Sequence, residues 1–183
     1  CEQRAVCVPV MKNVLKGELT YNEPTVAMLR FRFRNDGDIP LKAELPIRFS
    51  EESGRYWYWA AQNYRLPAPK FTALSVNGGR VTSMFKGRRV LRATFEGDMK
   101  PGTVGASPGW VRALKPGETC ELLVKIPFVD LDTKQEQTAL AALRFDKACR
   151  EVTAFWRAEI GEGSTLNTPI PQLNAVHASH AAY

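Results

Sequence analysis

The chain has 183 residues, of which 44% are hydrophobic and 24% are charged. This composition excludes wholesale disorder and low-complexity structure, and no apolar run approaches the roughly 18–20 residues that a membrane-spanning helix needs. Lysine and arginine total 25 against 19 aspartates and glutamates, a net charge of +6. The excess lies in residues 1–128, with 20 basic and 12 acidic residues, whereas residues 129–183 have a net charge of −2.

Two strand patterns lie close together near the start of the chain. In Val26–Arg34 apolar side chains alternate with arginines, which predicts a half-buried strand with a basic outer face. Leu41–Phe49 alternates in the same way, and Asn35–Asp38 between them is a turn signal. If the strands pair as a hairpin, strict alternation requires a loop with an odd number of residues. Phe31 then lies opposite an apolar residue, and Glu44 lies opposite an arginine. The arginine row therefore has a structural explanation without a ligand.

The next segment predicts a hairpin followed by a further strand. Asn77-Gly78 lies between two strand patterns, Phe71–Val76 and Arg80–Phe85, and this dipeptide is a strong hairpin signal. A turn at Lys86-Gly87-Arg88 leads into Arg89–Phe95, where the odd-numbered residues from 91 to 95 are expected to share one face.

The last strand patterns lie before residue 129. Gly102–Gly109 is rich in Gly, Pro and Ser and predicts a loop leading to Trp110. Lys115–Glu118 predicts a type II turn, because its proline fixes φ and its glycine accepts a positive φ. Cys120–Phe128 alternates and predicts a final strand. Many strands at short spacing predict an all-β fold, an antiparallel β-sandwich of two sheets.

The hydrophobic period changes after residue 129. Asp146 is the expected N-cap of a helix. Behind it, apolar residues recur at helical spacing: Cys149, Val152, Phe155, Trp156 and Ile160. A second helix is expected from Pro171, without a stop signal before Tyr183. We therefore expect a β-sandwich over residues 1–128, and over 129–183 a helical linker and the start of a following helical domain.

Aromatic residues supply the candidate carbohydrate-binding site. These residues are Tyr56, Trp57, Tyr58, Trp59, Tyr64 and Trp110. Aromatic rings with a polar edge suit sugars, because a pyranose presents C–H groups to the ring and hydroxyls to its rim. The alternative is that these side chains fill the core or cover a sheet face.

Basic residues at a predicted turn supply a candidate anion-binding site. Lys86, Arg88 and Arg89, with Arg92 nearby, could bind phosphate or uronate. The alternative is a solvated turn, since no aromatic residues interleave with them as single-strand nucleic-acid binding would require.

The sequence predicts no catalytic residue, no metal site and no cofactor. It contains no G-x-S-x-G motif, P-loop or dinucleotide fingerprint. His177 and His180 share a helix face, but no third metal ligand is indicated. The four cysteines form no CxxC pair, and Cys120 and Cys149 are expected to be buried free thiols.

Two sets of segments, taken in order, carry a family resemblance. The first set is Val14–Thr20, Leu29–Asn35 with Ala43–Phe49, and Leu114–Glu118. The second set is Leu143–Asp146, Phe155–Arg157 and Pro171–Asn174. They resemble the N-terminal β-sandwich, the linker helix and the first barrel helix of bacterial six-hairpin, (α/α)₆-barrel glycosidase-like proteins. The resemblance spans nearly the whole chain.

The resemblance implies a non-catalytic accessory domain of a larger carbohydrate-active protein. In that family the sandwich packs on the helical barrel, which carries the catalytic carboxylates, so no catalytic residue is implied here. The implied partners are that (α/α)₆ domain and a polysaccharide or oligosaccharide. A polysaccharide-acting protein would usually be exported to the periplasm or secreted, whereas unpaired thiols fit a reducing compartment such as the cytoplasm.

Two other functions are compatible with the sequence. The aromatic cluster would suit a free-standing carbohydrate-binding or surface-adhesion module. The net charge of +8 over residues 1–128 would suit a basic domain that binds nucleic acid or another polyanion. Salt-dependent affinity would distinguish the second of these alternatives.

Overall fold

The computed structural model describes residues 1–16, 23–47, 72–162 and 166–181. Its strands are β1 (Glu2–Pro9), β2 (Thr25–Arg34), β3 (Leu41–Pro46), β4 (Thr72–Asn77), β5 (Arg80–Phe85), β6 (Arg88–Gly97), β7 (Lys100–Val104), β8 (Ser107–Leu114) and β9 (Thr119–Pro127). Its helices are α1 (Lys134–Ala142), α2 (Phe145–Glu162) and α3 (Pro171–Ala181). The described strands pair antiparallel in two sheets. The predicted all-β sandwich with a C-terminal helical segment is confirmed.

The two sheets differ in size and enclose a shared apolar core. The large sheet has the order β1-β2-β9-β6-β5-β4, and the small sheet has the order β3-β8-β7. Phe95 of the large sheet stacks on Trp110 of the small sheet, with ring centroids 3.8 Å apart and ring planes 16° apart. Val81, Leu122 and Val124 lie in the same core cluster. Burial of these side chains holds the two layers together.

The predicted hairpin after β2 does not form, because the chain changes sheets there. β2 pairs with β1 and β9, whereas β3 pairs with β8. Asn35, 1% exposed, holds this corner. Its Nδ2 donates to the carbonyl oxygens of Ile39 (2.8 Å) and Leu114 (3.1 Å). Alternation correctly placed Phe31 against the core, but alternation fixes only the face of a residue and not its partner strand.

Three described crossovers between the sheets lie at the same end of the sandwich. They are the β2–β3, β6–β7 and β8–β9 connections. The last of these is the predicted type II turn, now confirmed: the Glu118 amide donates to the Lys115 carbonyl (3.0 Å), and Gly117 has a φ of +77°.

The Gly-rich segment 102–109 forms most of the β7–β8 hairpin and not the predicted loop. The turn consists of Gly105, with a φ of +60°, and Ala106. A Cβ atom on Gly109 would lie 2.5 Å from the Leu45 carbonyl oxygen, and one on Gly102 would lie 2.8 Å from Val111 Cγ2. These two glycines therefore allow close approach between elements and do not mark a loop.

The predicted hairpins β4–β5 and β5–β6 are confirmed, but Leu91 and Phe95 do not share one face of β6 as predicted. Asn77 pairs with Arg80, so the first turn is Gly78-Gly79, one residue later than predicted. All turn residues have positive φ, as a type I′ turn requires. The register shifts near Leu91, and this β-bulge places Leu91 in the cluster under the helices while Phe95 faces the other sheet.

Helices α1 and α2 form a third layer on the outer face of the large sheet. A second apolar cluster lies between them and the sheet, and includes Val8, Val26, Met28, Leu91, Leu131, Leu140, Phe145 and Ala148. Helix α1 was not predicted from the sequence, although Thr133 and Glu136 form a capping box at its start. None of the described helices has the length and hydropathy needed to cross a membrane.

Candidate docking surface

A buried lysine anchors the end of α1 to the large sheet. Lys125 of β9 is 0% exposed, and its Nζ donates to the carbonyl oxygens of Leu140 (3.1 Å) and Ala141 (3.3 Å). Those carbonyls lie in the last turn of α1, where the helix dipole favours a cation. The Leu140 oxygen also accepts from the Leu143 amide (3.3 Å), and the Ala141 oxygen from Arg144 Nη1 (3.1 Å). Nζ also lies 2.8 Å from Glu96 Oε1, which balances the charge. A buried ammonium needs such partners to offset its lost hydration.

An arginine from the predicted basic row anchors the start of α2. Arg30 Nη1 donates to Asp146 Oδ1 (2.7 Å), and the guanidinium lies 4.6 Å from the centroid of the Phe145 ring. Asp146 lies inside the first turn, because α2 begins at Phe145. The predicted N-cap role of Asp146 is therefore wrong, since its carboxylate faces the sheet instead.

The first half of α2 packs on β1 through its apolar stripe. Ala148, Cys149 and Val152 belong to the helix–sheet cluster, as does Val6 of β1. Burial raises the pKa of the Cys149 thiol, so this side chain is a neutral packing residue at neutral pH. Glu151 on the same helix accepts a hydrogen bond from Asn13 Nδ2 (2.9 Å).

Beyond Val152 the same stripe of α2 carries two large aromatic side chains that the described residues do not fully cover. Phe155 is half-buried and contacts Trp156 edge to face, with centroids 5.3 Å apart, and Trp156 is 43% exposed. The segment leading into α3 and α3 itself carry four more apolar side chains that are 43–52% exposed. We call these six the distal apolar residues: Phe155, Trp156, Leu166, Ile170, Leu173 and Val176.

The predicted anion-binding residues contact three different sets of neighbours. Arg88 pairs with Asp130 (3.3 Å) and Asp132 (2.8 Å), and the hydrogen bond to Asp132 raises the pKa of its guanidinium. Arg89 donates to the hydroxyl of Thr82 (3.1 Å). Lys86 lies 5.4 Å from the centroid of the adjacent Phe85 ring. The charge of Arg88 is thus compensated by the loop before α1, whereas anion binding by Lys86 and Arg89 stays a prediction.

The basic row on β2 also has carboxylate partners, although not the predicted ones. Arg32 pairs with Glu121 (2.5 Å) and Arg34 with Asp36 (2.7 Å). Glu44, the expected partner, pairs with Lys42 instead (2.6 Å), because β3 belongs to the other sheet.

The structure corrects one of the carbohydrate-binding candidates. Trp110 is 2% exposed and stacks on Phe95 in the core. A ring covered in this way offers no face to a sugar, so Trp110 is a packing residue. The other five candidates, Tyr56, Trp57, Tyr58, Trp59 and Tyr64, lie outside the described residues.

Neither metal-ligand geometry nor similarity to known proteins assigns a further role to the described residues. In the described ranges, no three His, Cys, Asp or Glu side chains converge as metal ligands would. The side chains of His177 and His180 lie outside the described part. No protein-family model matches the chain, and no curated protein matches it.

Proposed function

We propose that the chain is a non-catalytic accessory β-sandwich domain of a larger carbohydrate-active, glycoside hydrolase-like protein. Its helical segment would dock on a helical catalytic domain of the same protein. The observation that supports this proposal is the division of α2: its first half is anchored to the sheet, while its second half carries half-buried Phe155 and exposed Trp156 on the continuation of the same stripe.

The contacts of Lys125 and Arg30 with the helices are consistent with a domain that supports a neighbouring one. Lys125 fixes the end of α1, and Arg30 fixes the start of α2. Since both contacts lie on the sheet side, they set the direction in which the rest of α2 projects. A helix held at one end presents its remaining apolar stripe in a defined orientation, which lowers the entropic cost of binding a partner.

A helical partner suits the chemistry of the distal apolar residues. Apolar side chains three and four positions apart along a helix form ridges that pack into the grooves of other helices. Aromatic side chains such as Trp156 are typical anchors at such interfaces. The resemblance to glycosidase-like proteins in which a sandwich packs on a helical barrel supports the same partner.

The reading frame downstream of Tyr183 gives the first test. We expect it to encode a long series of paired helices in the same polypeptide. A stop codon directly after Tyr183 would contradict the proposal.

Hydrogen exchange gives the second test. Amides of residues 153–159 should exchange more slowly in the full-length protein than in this chain alone. Trp156→Glu should weaken docking by at least about 2 kcal/mol, the range of interface hot spots. Thr153→Glu, an equally charged change at an exposed position of the same helix, is the matched control and should have little effect. Equal effects of the two variants would contradict a docking role for the apolar stripe of α2.

A further inference from the structure

The packing face of α2 repeats after seven residues, and one of its positions changes from apolar to acidic. Seven residues make about two turns of an α-helix, so residues seven positions apart lie on the same face. The positions that pack on the sheet are Ala148, Cys149 and Val152. Seven residues later, in the same order, are Phe155, Trp156 and Glu159. A carboxylate therefore occupies the place of Val152 in the distal half of the helix.

Glu159 has no charged partner among the described residues. Its side chain is exposed, and across the described ranges no lysine or arginine lies within ion-pair distance of it. Glu159 lies four positions from Phe155 and three from Trp156, so the three side chains are neighbours on the helix surface. A partner that covers the two rings would also displace water from the carboxylate. A carboxylate that loses its hydration needs a cation or hydrogen-bond donors in exchange.

The first turn of the same helix shows how such a carboxylate is satisfied in this fold. Arg30 of the sheet donates to Asp146 (2.7 Å), and its guanidinium lies 4.6 Å from the centroid of the Phe145 ring. A guanidinium suits this combination, because it is planar, weakly hydrated and able to contact an aromatic face while it bonds a carboxylate. A lysine ammonium is a strongly hydrated point charge without a flat surface. Trp156 and Glu159 present the same two groups, an aromatic ring and a carboxylate.

We propose that the distal end of α2 receives one arginine side chain of its docking partner, which pairs with Glu159 and packs on the Trp156 ring. The inference rests on the proposed function and names the chemistry of the partner surface: an apolar helix face that carries an arginine. Helix α2 does not supply this arginine itself. Arg157 lies two positions from Glu159, which places it on the opposite side of the helix, about 160° away.

Hydrogen exchange in the full-length protein tests the inference. The readout is the slowing of exchange at residues 153–159 relative to this chain alone. Glu159→Gln keeps the shape of the side chain and should reduce that slowing about tenfold, the strength of a charge-assisted hydrogen bond. Glu159→Arg should reduce it at least about 30-fold, because it opposes two like charges. Arg157→Gln, which also removes one charge from α2 but from the opposite side, should change it less than about twofold.

A charge exchange then identifies the arginine. In the full-length Glu159→Arg variant, each arginine of the following domain is replaced in turn by glutamate. We expect one such replacement to restore the slowing of exchange to within about threefold of the unaltered protein, since residues in direct contact have non-additive effects. Unchanged exchange in β9 of every variant shows that the sandwich is folded.

The outcomes separate this inference from the docking proposal. If Trp156→Glu abolishes the slowing but Glu159→Gln has no more effect than Arg157→Gln, docking stands and the arginine contact is wrong. Stronger slowing in Glu159→Leu would also overturn the inference, because the partner surface would then be apolar at this position. Slowing that increases with protein concentration would indicate a second copy as the occupant and contradict both proposals. Absence of any slowing in the unaltered full-length protein would likewise overturn both.

Discussion

The Nζ atom of Lys125 on the last strand lies 3.1 Å from the carbonyl oxygen of Leu140, in the final turn of α1. This contact joins the strand-rich part of the chain to its helical segment in the interior of the molecule. A sheet residue thus supplies the positive charge that the helix lacks in its own last turn, which contains no basic residue.

Loss of this lysine should destabilise the fold. Lys125→Met keeps the length of the side chain but removes the ammonium that donates to two carbonyl oxygens and pairs with Glu96. We expect the free energy of unfolding to fall by about 3 kcal/mol, as when one partner of a buried ion pair is removed. Urea denaturation measures this loss. Lys134→Met, at an exposed position of α1, is the control, and equal stability of the two variants would exclude the capping role.

The Arg30 anchor should control the order of α2 more than the order of the sheet. Arg30→Ala removes both the bond to Asp146 and the contact with the Phe145 ring, which we expect to cost about 1–2 kcal/mol. Hydrogen exchange should accelerate at residues 148–152 and change little in β9. Arg34→Ala, which removes an exposed pair with Asp36, should leave α2 unchanged. Unchanged exchange in α2 of the Arg30 variant would argue against this anchor.

Trp110 and Trp156 should differ in how much their truncation destabilises the chain. Trp110→Ala should lower the free energy of unfolding by about 3–5 kcal/mol, because it leaves a cavity beside Phe95 in the core. Trp156→Ala should change the stability of the isolated chain by less than about 1 kcal/mol, because this side chain is exposed. Denaturant titrations of both variants test the pair. Similar small losses would mean that Trp110 is not a core residue.

Acidification should weaken the start of α1. Hydrogen bonds from the backbone and then the side chain of Thr133 hold the pKa of Glu136 below its ordinary value of 4.5. A pKa that is lower in the folded than in the unfolded chain contributes stability above the unfolded value, and this contribution is lost as the pH falls through the folded-state pKa. Glu136→Gln should therefore reduce the loss of stability between about pH 7 and about pH 3.

The pH dependence can be measured by urea denaturation at several pH values. Glu159→Gln, at an exposed position of α2, serves as the control for the removal of one carboxylate. If Glu136→Gln and Glu159→Gln follow the same pH profile, the capping box does not contribute in this way.

The four thiols should differ in reactivity according to their exposure. Cys1 and Cys7 are exposed, Cys149 is half-buried and Cys120 is buried. Burial raises the pKa of both Cys120 and Cys149, which lowers the fraction of reactive thiolate. Alkylation followed by mass spectrometry should label Cys1 and Cys7 first and Cys120 only on unfolding. Rapid labelling of Cys120 in the native protein would contradict its position between the sheets.

Local patterns predicted six of the described strands, β2 to β6 and β9, but missed β1 and β7 and did not identify the strand partners. Alternation in β2 placed Phe31 on the core side, and Asn77-Gly78 located a hairpin to within one residue. The partner of β2 could not be inferred from alternation, because the corner at Asn35 depends on a side chain that bonds two distant carbonyls. A pairing rule based on neighbouring strands fails where the chain leaves its sheet.

The candidate site was harder to predict for a related reason. Lys125 lies on the opposite face of β9 from Leu122 and Val124, as alternation predicts. The same pattern predicts that this face is exposed to water. It is buried because α1 covers it, and α1 was missed. The capping box of Thr133 and Glu136 was the signal that could have revealed this helix.

The three described crossovers beside Asn35 are short, with six, two and four residues between the strands that they join. A link of this length spans only a short distance, so the two sheets cannot slide past each other at this end without breaking backbone hydrogen bonds. Relative rotation of the two sheets should therefore pivot about this end of the sandwich.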